Sequence, residues 1–140
     1  MFTLRFDMRS PAHGAPTAEL YAAALDMAAF AESRGALMAI VCEHHGLPDG
    51  YLPAPMVLST ALAARTSTLS ILVAVVVLPL YDPVRLAEDI AVLDLLSKGR
   101  VSYTLGLGYR PVEYELYDRS WAGRGVDIEA RITEIGRAHV

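Results

Sequence analysis

From Phe2 to Met8 apolar and polar residues alternate, with Phe2, Leu4, Phe6 and Met8 on one side; this period of two predicts a strand. A loop with two prolines and a glycine follows, from Ser10 to Pro16. The period then changes. Leu20, Ala24, Met27 and Ala31 recur at helical spacing, widened by Tyr21, Leu25 and Ala28, which predicts a helix over Thr17–Arg34 with Thr17 as cap and Gly35 past its end. Leu37–Cys42 is a short apolar run, read as a buried strand. After a Pro- and Gly-rich loop, Met56–Arg65 predicts an Ala-rich helix. The valine-rich run Leu69–Leu78 predicts a third strand, buried on both faces. Asp82-Pro83 opens a helix through Leu86, Ile90, Leu93 and Leu96 that Gly99 stops, and Arg100–Leu107 predicts a fourth strand. A further helix is expected to begin within Arg124–Glu134.

The order β-α-β-α-β-α-β implies right-handed crossovers and a parallel α/β sheet. An open doubly wound sheet and part of a (β/α) barrel both fit, and periodicity does not separate them. Composition narrows the rest. The chain has 140 residues, 54% apolar and 20% charged, which is a globular balance. Net charge is −4 and the twelve Lys and Arg are scattered, so nucleic acid is not an expected partner. The one cysteine, Cys42, excludes an intramolecular disulfide and fits a reducing, cytoplasmic setting. The longest apolar run is too short to span a bilayer, and the first ten residues lack a signal-peptide layout.

Glu43-His44-His45 directly follows the second strand. Ligands bind at the C-terminal strand ends in both parallel architectures, so these groups are placed for proton transfer or, alternatively, form a locally paired polar loop end. Adjacent residues on an extended chain point to opposite faces, so His44 and His45 would not readily chelate one ion, and no metal is expected. Gly106-Leu107-Gly108 resembles the opening of a dinucleotide fingerprint but fails as one: Pro111 stands at the third glycine, and no helix of the required pattern is expected there. It is either a turn or a place where backbone approaches a flat ligand. Cys42 reads as a small buried residue, Glu88 and Asp89 as a solvated helix face, and the aromatic-rich last quarter as core or rim.

Several ordered segments together resemble the bacterial luciferase-like family of flavin-dependent oxidoreductases. They are Glu43-His44-His45, Ala63-Ala64-Arg65-Thr66-Ser67, Leu78-Pro79, Asp82 to Asp89, Leu93 to Arg100, Gly106-x-Gly108 and Glu113, spread over residues 2 to 133. The resemblance implies a (β/α)₈ TIM-type barrel that binds flavin at its C-terminal strand ends. It implies a monooxygenase using reduced FMN and oxygen on a small organic substrate, supplied with reduced flavin by a reductase. The alternatives are hydride transfer with a deazaflavin, or a non-catalytic flavin-binding or partner subunit. His44 would be the catalytic proton-transfer group. Glu43, Ala74, Val75, Gly106, Leu107 and Gly108 would surround the flavin, with a cis peptide at Ala74-Val75. Pairing into a dimer through helices near Glu88 and Asp89 is also implied. Luciferase itself has a reactive cysteine where this chain has Gly106 and a basic residue where it has Leu107, so no light emission and no phosphate contact at Leu107 are expected. Four strands are readable where such a barrel has eight. The expectation is therefore an N-terminal half-barrel over residues 1–133, with open edges and inactive alone. Residues 134–140 read as a non-native tail.

Overall fold

The computed structural model describes residues 1–138. Four strands, β1 (Phe2–Phe6), β2 (Ala36–Val41), β3 (Ser70–Val77) and β4 (Val101–Gly106), form one all-parallel sheet in the order β1-β2-β3-β4. They alternate with α1 (Thr17–Ser33), α2 (Pro55–Arg65) and α3 (Pro83–Ser97); two more helices, α4 (Pro111–Leu116) and α5 (Arg124–Ala138), follow β4.

This strand order settles the architecture that periodicity leaves open. Each strand pairs with the next in sequence, and right-handed crossovers in one direction put every helix on the same face. That is the winding of a barrel wall, not of a doubly wound sheet, so the chain is part of a (β/α) barrel. The burial pattern agrees. On the helix-covered face Ala39, Val41, Ile71 and Val73 are inaccessible, and Ala28, Leu62, Leu86 and Leu93 pack onto them. On the other face Leu72 and Ala74 are only partly covered. The expectation that the third strand is buried on both sides is corrected here: helices lie on one face alone.

Local chemistry explains most element ends. Asp82 caps α3 by accepting from the Arg85 N–H at 2.9 Å, with Pro83 at the first helical position. At the other end Lys98 takes the left-handed conformation, and the Lys98 and Gly99 N–H groups return to Leu95 and Asp94. Thr17 is not a cap. Pro16 holds that position and no side chain caps α1. Another correction concerns the segment after Gly108. Pro111 does not merely interrupt a glycine pattern; it opens the short helix α4, because a proline has no N–H to lose at the first helical position. Residues 134–138 of the expected tail complete α5, with Ile135 against the core, and His139 and Val140 lie outside the described residues. Among the described residues no helix is long and apolar enough to cross a membrane.

Candidate functional site

Parallel strands bring all their C-terminal ends to one rim, so the loops after β2, β3 and β4 converge there. Between them lies a cavity of about 380 Å³. Its floor is Ala74, Val75 and Val77 of β3 with Gly106, the last residue of β4, and Leu107 and Gly108 beyond it; its walls include Arg5, Glu43, His44 and Glu113. All the expected site residues, Glu43, His44, Ala74, Val75, Gly106, Leu107 and Gly108, therefore border one space. The Ala74-Val75 peptide is cis.

The glycines are required by packing. A Cβ on Gly106 would stand 2.5 Å from Val75 Cγ1, and one on Gly108 would stand 2.8 Å from Val77 Cγ1. Gly108 also has φ +71°, a conformation that favours glycine. The close approach is thus to the branched side chains of the adjacent strand, which lets the β4 backbone lie flat against the floor.

Two hydrogen-bond groups hang from the Glu43-His44-His45 segment, on opposite sides of it. On one side His44 Nδ1 meets Glu113 Oε1 at 3.0 Å. The same oxygen accepts the His45 N–H at 3.1 Å and an Arg110 guanidinium N–H at 3.2 Å. Glu113 is 1% exposed, and a carboxylate that deep is tolerable because donors surround it. Tyr51 packs on the His44 ring at 4.3 Å between centroids, and Tyr109 meets it edge-on at 5.6 Å. On the other side His45 Nε2 meets Glu43 Oε1 at 2.7 Å, and Tyr117 Oη meets His45 Nδ1 at 2.9 Å. Glu43 Oε2 accepts the Val77 N–H at 2.8 Å, tying the end of β2 to the end of β3. The two histidines thus serve different partners, and among the described residues no group of three His, Cys, Asp or Glu side chains could hold a metal ion.

Burial raises the phenols around this network. Tyr81 is pushed well above the ordinary tyrosine value, first by burial and then by Glu43. Tyr117 shifts the same way, through burial and then the charges of Glu43 and Glu113. Cys42, 3% exposed and on the cavity wall, is raised by burial, so it stays a thiol near neutrality rather than a nucleophile.

Sequence reasoning did not single out Tyr51 or Arg110, and it read Tyr117 among the aromatic residues of the core or rim. Arg110 and Glu113 carried a weak signal, opposite charges three residues apart at a Pro-initiated helix. Tyr117 reaches His45 across 72 positions, and no local pattern announces such a contact.

The site fits the ring of a flavin better than its phosphate. The cavity lies at the lower end of the small-ligand range, with an apolar floor and polar walls, and among the described residues Arg5 is the one Lys or Arg that lines it. Leu107 offers a phosphate nothing from its side chain.

The family model for luciferase-like monooxygenases matches residues 2–133. A luciferase-like monooxygenase of Escherichia coli strain K12 is 35% identical over 105 residues, covering 75% of this chain and 31% of that protein. The alkanal monooxygenase alpha chain of the Kryptophanaron alfredi symbiont is 37% identical over 97 residues, covering 69% of this chain and 25% of that one. The chain therefore spans about a third or less of the length of these relatives. Among solved structures, the oxygenating constituent of 3,6-diketocamphane monooxygenase from Pseudomonas putida, in complex with FMN, superposes with a TM-score of 0.85 at 20% identity. That match covers 96% of this chain and 37% of the other, and it shows the shared fold.

Proposed function

Because this chain belongs to the luciferase-like monooxygenase family, we propose that it forms the flavin-facing wall of an oxidoreductase that uses reduced FMN and molecular oxygen on a small organic substrate. One observation carries the reading: His44 lines a cavity whose floor is apolar backbone and small side chains, at the strand ends where barrels bind their ligands. The chemistry a reduced flavin supplies there is two-electron reduction of oxygen, one atom entering the substrate and the other leaving as water.

The residues divide the remaining work. Ala74, Val75 and the Gly106–Gly108 backbone would hold the ring by contact, and Arg5 is the cation available to an anionic group. His44 would accept and return a proton at the cavity edge. Tyr51 and Tyr109 pack against its ring and would hold its orientation. Glu43 fixes the floor through the Val77 N–H. In the assembled enzyme a flavin reductase would supply the reduced cofactor. Pairing with a second copy would use the outer faces of α2 and α3, where Val57, Val92, Leu95 and Leu96 are exposed.

The test is a titration with oxidised and reduced FMN and, in parallel, a 5-deazaflavin, read by cofactor fluorescence and then by product formation from aldehydes and ketones. FMN binding with oxygenation supports the proposal. Deazaflavin preference would move the chain to hydride transfer, binding without turnover would make it a non-catalytic flavin-binding subunit, and no binding of either cofactor would overturn the flavin reading.

A further inference from the structure

We infer that Glu113 is a positioning residue that holds His44 as its Nδ1–H tautomer, leaving Nε2 unprotonated at the cavity, while the adjacent His45 is held in the opposite, Nε2–H tautomer. The inference deepens the proposed function and rests on its assignment of proton transfer to His44. The tautomers themselves follow from the chain's own contacts.

Three groups converge on Glu113 Oε1: the His45 N–H, the Arg110 guanidinium and His44 Nδ1. The first two can only donate. A carboxylate clamped by a guanidinium and a backbone N–H only accepts, so the third contact is also a donation, and His44 carries its proton on Nδ1. A neutral imidazole has one N–H, so Nε2 keeps a free lone pair. Among the described residues nothing hydrogen-bonds to Nε2, and His44 belongs to the cavity lining.

For His45 the constraints reverse. Glu43 already uses Oε2 to accept the Val77 N–H, and its Oε1 meets His45 Nε2 at 2.7 Å. Nε2–H donates to that carboxylate, and Nδ1 accepts from the Tyr117 hydroxyl. Two histidines adjacent in sequence thus become chemically distinct. His44 presents a base to the cavity, while both nitrogens of His45 are occupied. Glu113 acts through His44 without supplying a proton of its own: it sets which nitrogen is basic and in which direction it points.

The experiment is ¹⁵N spectroscopy of the imidazole nitrogens in the cofactor-free chain at about pH 8, where unperturbed histidine is neutral. Single-histidine substitutions assign the signals. The expected spectrum shows Nδ1–H for His44 and Nε2–H for His45. In Glu113→Ala the ratio of Nδ1–H to Nε2–H at His44 should fall about tenfold or more, the worth of a charge-assisted hydrogen bond, while His45 keeps its Nε2–H as an internal control. Nε2–H on His44 in the unmodified chain would overturn the inference, even should Glu113→Ala not fold. So would an unchanged His44 signal in a folded Glu113→Ala. No flavin enters this experiment, so failed flavin binding would sink the function while leaving the tautomer result standing.

Discussion

The two rims of the sheet use their charged residues differently. At the N-terminal rim, side chains serve the backbone. Arg100 donates to the carbonyls of Ala63, Thr66, Leu69 and Ser97 and to Thr66 Oγ1. Glu32 accepts the N–H groups of Ser67, Thr68 and Leu69 and the Thr68 hydroxyl. These contacts close the turns between helices and strands. At the C-terminal rim, side chains serve one another. Glu43, His44, His45, Arg110, Glu113 and Tyr117 are joined by hydrogen bonds, and Glu43, His44 and Glu113 of them border the cavity of about 380 Å³. The first arrangement stabilises, and its N–H groups keep the Glu32 carboxylate ionised near neutrality. The second arrangement holds titratable groups in place and, among the described residues, leaves His44 Nε2 without a hydrogen-bond partner.

The contrast breaks most sharply at His44. His44→Ala should lower oxygenation by the flavin-loaded protein about 10²- to 10⁴-fold, the usual contribution of a general acid–base group, with the urea midpoint nearly unchanged. Equal turnover in parent and variant would remove His44 from the chemistry. Arg100→Met should do the opposite. Losing its five hydrogen bonds should cost about 2–4 kcal/mol of stability, read as a lower urea midpoint, with FMN affinity kept in the folded fraction. Gly106→Ala tests the floor: its new Cβ overlaps Val75, so flavin affinity should weaken alongside a loss of about 1–3 kcal/mol, seen by parallel titration and denaturation.

The smallest effect concerns pH. Partial desolvation pushes the Glu32 carboxyl up, but the N–H groups of Thr68, Leu69 and Ser67 and the Thr68 hydroxyl together outweigh it and hold it down at about 2. A depressed carboxylate stabilises the fold above its ordinary value near 4.5, and that contribution fades as pH falls toward 2. Glu32→Gln should therefore lower stability by about 1–2 kcal/mol at neutral pH, after allowing for solvent screening, and by almost nothing near pH 2. A difference between the two proteins that persists at low pH would contradict this assignment.

The order of strands and helices was legible in sequence because its signals are local, whereas the Glu32 and Arg100 contacts of the N-terminal rim join residues up to 37 positions apart and carried no such signal. Asp82-Pro83 marks the start of α3 within two residues, alternation marks β1, short apolar runs mark β2 and β3, and helical spacing marks α1 and α3. The place of Glu43-His44-His45 at the rim was legible because an abrupt polar stretch after a buried strand must lie there. The network was not. Glu113 lies 69 positions from His44, and its alignment depends on α4, a six-residue helix too short to show a period. Thr17 misled because a threonine before an apolar stripe resembles a cap, whereas Pro16 already turns the chain there.

Glu43 borders a second space as well. Beyond it lies a cavity of about 210 Å³ whose wall includes His45, Tyr81, Asp89 and Tyr117, on the side facing α2 and α3. The Glu43 carboxylate is thus a partition one side chain thick, braced by Val77 on one edge and His45 on the other. Shortening that side chain would open a passage between the two chambers. A ligand too long for the larger of the two cavities would then have somewhere to put its tail.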